Sequence, residues 1–555
     1  MSGSTLAASP PLEGPRVRAP GDPWRGVSWN EALERAATDL VQVTRAGGAD
    51  AIAVYVGRSA RSATQEARAL ARTLGAARVF IHAEPDEAAL GWATRRALGH
   101  PSRLVPDLDR AHHVLWLGPG LPGWPDARPI PAGFRRSLTV AHARPFPARI
   151  HLAIRPGSET FLVLGLAHTI LARGWHDAQY VRDWTTGTQA AVAALEPWTP
   201  ERCATRCGIP SDLLVAEALR FARAPMAVAT GHPGIFRTPH GGLLAWGLIL
   251  LHAATANALR PGGLYARPPG SGHVVLPGGR SWRSGYRASG GHPAVLTPMD
   301  LFGPPDPPRV LVAAGGLPTD DYGPAIGAPL DELEQLVQIG TRTTILHPRT
   351  RWIFPGQGEP GGQPIEEVLS ALRTRIAAAR FGFAPRPGLQ RTLDQATDLL
   401  LDGHRHLWRH LAPVQEAPGG HEDRAFWDVG YPDGRLHLDP PPPLRDLSDA
   451  WPDPKRPLVL FEGDPAPEEV PRLRLHPEVG PRDGDLVGVD TPSGSFEARI
   501  ERDPSLRLDT AEVSALPALA GALHVLDGST GEPWRHGVPC HIDTPSSRRR
   551  RRGPT

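Results

Sequence analysis

Three stretches of this chain carry residues whose types and spacing suit chemistry. Arg155-Pro156-Gly157-Ser158 lies between an apolar run ending at Ile154 and a helical pattern from Glu159 to Arg173. A turn at a helix N-terminus presents free N–H groups and the positive end of the helix dipole, both of which favour an anion. Arg155 adds a planar donor fork suited to phosphate, or else pairs with a nearby carboxylate. In GHPGIFRTPHGG, between an apolar run at Met226 to Thr230 and a long apolar helix, Gly231, His232, Gly241 and Gly242 let a ligand approach the main chain closely. Ordinary turn glycines, with the helix stopped by Pro261-Gly262-Gly263, are the other reading of that stretch. Cys203 and Cys207 lie four apart, so on a helix both thiols share a face. Two thiolates without further ligands make a poor metal site, and the pair reads as small apolar packing residues.

The elements that must position these groups alternate in type. Ser28 with Glu31 has capping-box spacing, and Leu33, Ala36, Ala37 and Leu40 recur at helical period until Gly47-Gly48. Short β-branched apolar runs at Ala51 to Val56, Ala77 to Ile81, Val114 to Leu117 and Val310 to Ala314 read as buried parallel strands, with a helix from Ala63 to Leu74 between the first two. The run at Val310 to Ala314 ends in GGLPTDDYG, another glycine turn. A helix near Leu330 to Val337 and a strand around Thr344 to Leu346 follow. This alternation predicts doubly wound α/β layers. From Pro457 short turns and period-two apolar residues predict a small β-barrel. The organisation expected is a disordered lead (1–23), α/β segments at 24–160 and 161–375, an irregular connection (376–455) with a stiff polyproline run at Pro440 to Pro443, the barrel (456–543), and a basic disordered tail (544–555).

Composition excludes several classes. With 555 residues, 40% of them hydrophobic, the chain is long enough for two to four domains. Sixty basic against 58 acidic residues leave no field of one sign for nucleic acid or membrane. The third cysteine, Cys540, makes neither a disulfide framework nor a four-cysteine cluster with the other two. The N-terminus lacks an apolar signal region, and the apolar stretch Gly242 to Leu259 is broken by His252, Thr255 and Asn257, so no membrane span and a cytoplasmic protein are expected.

WRGVSWNEALERAATDL, IRPGSETFLVLGLAHTILARGWHDAQYVRDWTTG, GHPGIFRTPHGG with LLHAATANALRPGG, and LHPEVGPRDGDLVGVDTPSGSF occur in an order that resembles the molybdopterin oxidoreductases of the DMSO reductase and formate dehydrogenase superfamily. The resemblance implies α/β domains with a C-terminal double-psi β-barrel that binds a molybdopterin guanine dinucleotide holding molybdenum or tungsten. At matched positions it implies cofactor contacts from Gly118 and Pro119, from Arg155, Gly157, Ser158 and Glu159, and from Gly231, His232, His240, Gly241 and Asn257. In the barrel it implies contacts from His476, Asp483, Gly484 and Asp485.

The departures are also informative. The family's iron–sulfur domain is missing, so no cluster is expected, and an iron–sulfur or other electron-transfer subunit is the implied partner. The family's metal-ligand position falls on Gly91 or Trp92, which cannot bind a metal; Asp86 and Glu87 reach it only by a slipped alignment. An aspartate–proline–arginine strand end is reduced to Ala143-Arg144-Pro145, and His82 and His100 flank the ligand region as candidate proton donors. Two functions follow: an oxidoreductase that exchanges electrons with its partner, or an inactive scaffold subunit that keeps the fold without metal.

Overall fold

The Ser28 hydroxyl accepts the Glu31 N–H (3.3 Å) and opens α1 (Trp29–Gly47), while the Glu31 carboxylate turns outward to Arg35. The computed structural model describes residues 14–19, 22–48, 51–75, 78–82, 85–99, 102–118, 137–144, 148–238, 240–267, 308–319, 330–340, 347–382, 429, 431, 433–445, 447, 455–465, 470–492, 494–515, 525–526, 533–534 and 536–543. After α1 come β1 (Ile52–Val56), α2 (Thr64–Leu74) and β2 (Arg78–Ile81). Next run α3 (Pro85–Leu98), β3 (His113–Leu117), β4 (Leu138–Ala141), β5 (Ile150–Leu152) and α4 (Glu159–Ala172). They are followed by α5 (Pro200–Cys207), α6 (Ser211–Arg223), β6 (Ala227–Gly231) and α7 (Gly241–Ala254). Then come β7 (Val310–Ala314), β8 (Gln335–Ile339), β9 (Thr350–Phe354) and α8 (Ile365–Phe381).

Two compact units interleave along the chain, one from 1–84 with 270–414 and the other from 85–269 with 415–555. The α/β segments expected from sequence were consecutive. In the first unit β7 pairs in parallel with β1, Val312 opposite Val54, because both strands are apolar on both faces and each needs a neighbour on each side. Its sheet runs β9-β8-β7-β1-β2, with two short antiparallel strands, Arg16–Val17 and Arg25–Gly26, on the β9 edge. The helix expected at Leu330 to Val337 is corrected here. Gln335–Ile339 is a strand buried at every position and paired with β7; so short an apolar run fits either period, and the free sheet edge decides it. Thr344 to Leu346 lie outside the described residues.

In the second unit a four-stranded parallel sheet runs β6-β3-β4-β5. Helix α7 is buried along its whole length, and α4 on nearly all faces. Gly165 of α4 faces Cys203 of α5, where an added Cβ would lie 2.7 Å from the cysteine Cβ; small residues on both sides set this close approach. The polyproline stretch is corrected as well: Pro442–Arg445 is a helical turn, a start position that proline's fixed φ suits.

The same unit carries a closed barrel of β10 (Leu458–Pro465), β11 (Arg472–Leu475), β12 (Leu486–Thr491), β13 (Gly494–Arg502), β14 (Thr510–Ala515) and β15 (His536–Asp543). Its order is β10-β14-β11-β13-β12-β15, with β10–β14 and β11–β13 parallel and the other neighbours antiparallel.

Candidate functional site

In the second unit the chain leaves β3 toward β4 and β5 on one side, while β6 lies on the other. The carboxyl ends of β3 and β6 therefore flank a topological switch point, where open α/β sheets bind ligands. Gly118 follows β3 with φ +79°, and Gly231 closes β6. A Cβ on Gly231 would sit 2.2 Å from the Leu117 carbonyl oxygen, and one on Gly118 2.5 Å from Ile235. Main-chain packing thus requires glycine at 231, and the positive φ with the Ile235 side chain requires it at 118. His232 is exposed, its Nδ1 accepting the Gly234 N–H (3.0 Å). His240 precedes α7 with its ring edge-on to Phe161 (5.9 Å), and a Cβ on Gly241 would lie 2.1 Å from the Phe236 carbonyl oxygen. Pro119 lies outside the described residues.

The turn before α4 is engaged by the barrel. Arg155 donates to Asp509 (Nε to Oδ2, 2.5 Å) and to the Thr205 and Arg206 carbonyls at the end of α5 (2.8 and 3.0 Å). Of the two readings given for this arginine, the carboxylate partner is the arrangement found. Gly157 has φ +82°, and a Cβ on Gly537 would lie 2.7 Å from its Cα, so strand β15 is strapped across the turn. Ser158 is buried, its hydroxyl donating to the Arg155 carbonyl (2.6 Å) instead of capping the helix. Glu159 is fully buried; its Oε1 lies 3.0 Å from His536 Nε2, and its Oε2 has no hydrogen-bond partner among the described residues.

The remaining sequence-derived positions are not brought to this corner. Asn257 sits at the opposite, amino end of β6, where its Oδ1 accepts the Ala227 N–H (3.0 Å). His476, Asp483, Gly484 and Asp485 form a barrel turn whose hydrogen bonds stay within the barrel: Asp483 accepts the Arg502 N–H, Asp485 the Arg482 N–H, and the His476 carbonyl accepts from the Arg502 guanidinium.

Residues not singled out as cofactor contacts complete the edge. His142 follows β4, is buried, and has no partner at Nε2; burial, then the nearby His536, lower it to about 3. Phe461 of the barrel stands edge-on to both imidazoles (6.2 and 6.1 Å). Arg144 pairs with Glu512 and Asp503. His142, His240 and His252 all have strongly lowered values, the latter two about 4, chiefly through burial. His252 is fixed as one tautomer, Nδ1 donating to the Leu248 carbonyl and Nε2 accepting the Ala229 N–H. Below pH 6.5 the unfolded chain binds protons that these folded rings refuse, so stability falls with pH. The expected loss is about 1.4 kcal/mol per pH unit for each ring until it titrates in the fold. Urea midpoints measured from pH 7 to 4 check this; a flat profile would contradict it.

The first unit has its own switch point, between the carboxyl ends of β1 and β7. Gly57 donates to the Ala314 carbonyl, Gly315 and Gly316 have φ +75° and +128°, and the Ser59 hydroxyl donates to the Gly315 carbonyl. Sequence reading noted the glycine turn after β7 without assigning its residues to a site.

Gly91 is buried in α3, and Trp92 lies under the Arg96 guanidinium (5.3 Å), so neither offers a metal ligand. The side chains of Asp86 and Glu87, and all of His100, lie outside the described residues; His82 is buried. Among the described residues no group of three His, Cys, Asp or Glu side chains is placed to hold a metal ion. Burial raises all three cysteine thiols, Cys207 and Cys540 to about 12. Iodoacetamide at pH 8 is therefore expected to modify none of them in the folded protein and all three after denaturation; rapid labelling of the native chain would contradict this.

No family model matches the chain. It is 24% identical over 300 residues to the molybdopterin-containing subunit of thiosulfate reductase from Salmonella typhimurium, covering 50% of this chain but only 38% of that one. Nitrate reductase from Klebsiella oxytoca is 24% identical over 621 residues, covering 90% and 68%. The chain's homologues are molybdopterin-containing oxidoreductases. Acetylene hydratase from Pelobacter acetylenicus shares its fold, with a TM-score of 0.68 at 16% identity over 96% of this chain and 92% of that one.

These relatives imply a molybdopterin cofactor, and the described residues offer such a group two buried polar atoms. Glu159 Oε2 and His142 Nε2 are buried, polar and without a hydrogen-bond partner among the described residues, beyond the carboxyl ends of β5 and β4. The fit does not extend to the metal, for which positions 91 and 92 provide no side-chain ligand.

Proposed function

We propose that this chain is a molybdopterin-dependent oxidoreductase of the DMSO reductase or formate dehydrogenase type, which binds a molybdopterin guanine dinucleotide and exchanges electrons with an iron–sulfur or other electron-transfer subunit. The observation that carries this reading is the carboxyl edge of the second-unit sheet, with Gly118 and Gly231 at the switch point and His142 and the half-satisfied Glu159 beyond β4 and β5. A buried carboxylate oxygen without a partner is costly, and a ligand N–H would satisfy it. Bound cofactor supplies the redox chemistry, while the protein supplies orientation, burial and donors. The barrel's two parallel strand pairs support its assignment to the double-psi type. We place the protein in the cytoplasm and give it no nucleic-acid partner; no helix among the described residues is long and apolar enough to cross a membrane.

The scaffold reading is favoured by one arrangement, Arg155 held by Asp509 where a phosphate-binding arginine was expected. Metal and pterin analysis of protein purified from its own host decides between the two. Molybdenum or tungsten near one equivalent, with bound pterin, is the expected result. Neither, with maturation machinery present, would establish the scaffold.

A further inference from the structure

Beside the turn before α4, the surface of the second unit holds a depression of about 320 Å³ lined by Arg155, Arg202, Thr205 and Arg206. The guanidiniums of Arg155 and Arg507 converge at its edge on Gly208, where an added Cβ would lie 2.5 Å from Arg507 Nη2 and 3.2 Å from Arg155 Cζ. Between them Asp509 accepts from Arg155 and, at both oxygens, from Arg507 (2.8 and 3.0 Å). Burial alone would raise the Asp509 carboxyl, but the bonds from Arg507 and Arg155 outweigh it and hold it below the ordinary range. Arg507 also donates to the Ala153 and Gly208 carbonyls. Two guanidiniums thus meet one carboxylate, which belongs to the barrel, and Arg202 and Arg206 line the depression beside them.

The pair is also reachable. The side chains of Arg155 and Asp509 are 22% and 26% exposed, so a solute anion can compete for the arginine. Asp509 directly precedes β14, which lies beside β10, and β10 lies beside β15. Strand β15 begins where His536 donates its N–H to Arg237 and its ring meets Glu159, and where Gly537 presses on Gly157.

We propose that the arginine-lined depression is a binding site for a diphosphate group, and that its occupant takes Arg155 from Asp509 and so unfastens the start of β15 from the turn before α4. The site is distinct from the sheet edge assigned to the pterin, and the proposal does not depend on that assignment. A diphosphate offers several charged oxygens to guanidinium forks, against the single carboxylate now shared by two of them.

Hydrogen exchange on the full-length protein tests this, with inorganic pyrophosphate, guanosine diphosphate, or sodium chloride at matched ionic strength. Either diphosphate is expected to speed exchange at His536 to Val538 by about tenfold, leaving β11 and β13 unchanged. Arg206→Gln should weaken the effect of pyrophosphate by about tenfold, and Asp509→Asn should speed exchange at β15 without added anion. Equal acceleration by chloride would overturn the proposal, because it would reduce the effect to screening. So would a uniform rise across the barrel, no change at all, or a response to guanosine diphosphate alone. Pterin content measured on the same preparations reports separately on the proposed function.

Discussion

Glu217→Ala is expected to destabilise the second unit by about 3–5 kcal/mol, because it removes the centre of a buried charged network. Glu217 is fully buried on α6, yet its carboxylate reaches three partners: His113 Nε2 (2.8 Å), the Thr139 hydroxyl (2.8 Å) and the Arg220 guanidinium. His113 begins β3 and Thr139 lies in β4, so this one side chain ties α6 to two adjacent strands. Alanine would leave the His113 ring and the Thr139 hydroxyl buried without a partner, whereas Arg220, about a third exposed, would recover water. Glu217→Gln keeps the shape and two of the bonds and should cost less, about 1–3 kcal/mol. The shift in urea midpoint, followed by exchange of second-unit amides, measures both. A loss below about 1 kcal/mol for the alanine variant would show that the network is not a net support.

Glu159→Gln is expected to lower pterin content by about tenfold or more while leaving the barrel in place. The amide keeps a contact to His536, but it removes the charge of a carboxylate that has one oxygen engaged and one without a partner. Retained fold with lost pterin would mark Glu159 as a ligand contact. Unchanged pterin would show that the free oxygen faces no ligand, and unfolding at the same time would show that the pair with His536 is structural. His536→Gln separates these outcomes, since it disturbs the barrel side of the pair and leaves the carboxylate on α4.

The sequence made β3 and β6 legible because each is a short apolar run ending at or beside a glycine, Leu117-Gly118 and Thr230-Gly231, whereas β4, which no glycine follows, was not read as a strand. It also made the superfamily legible, through four stretches in order. The pairing of Val310–Ala314 with Ile52–Val56 was not, since strands apolar on both faces carry no information about which edge they join. Gln335–Ile339 read as a helix for the related reason that five residues fit either period.

The site was legible only where it consists of backbone. Gly118 and Gly231 stand at the carboxyl ends of β3 and β6, but Arg155 does not act alone, because the carboxylate that holds it comes from the barrel. His536 and Asp509 had no local signature: nothing around them marks a residue that closes on a turn some 350 positions earlier. Asn257 misled for the opposite reason. A side-chain amide at a helix end suits a ligand or a strand start equally well, and here it serves the strand start.

The account stands on the carboxyl edge of β3, β4 and β6 as the seat of a pterin nucleotide. A structure of the protein purified with its cofactor tests this most directly. The account predicts nucleotide density along that edge, with ligand N–H groups against Glu159 Oε2 and the ligand close to the main chain at Gly118 and Gly231. Density for the cofactor elsewhere, or the same edge filled by protein side chains in a protein shown to carry pterin, would contradict it.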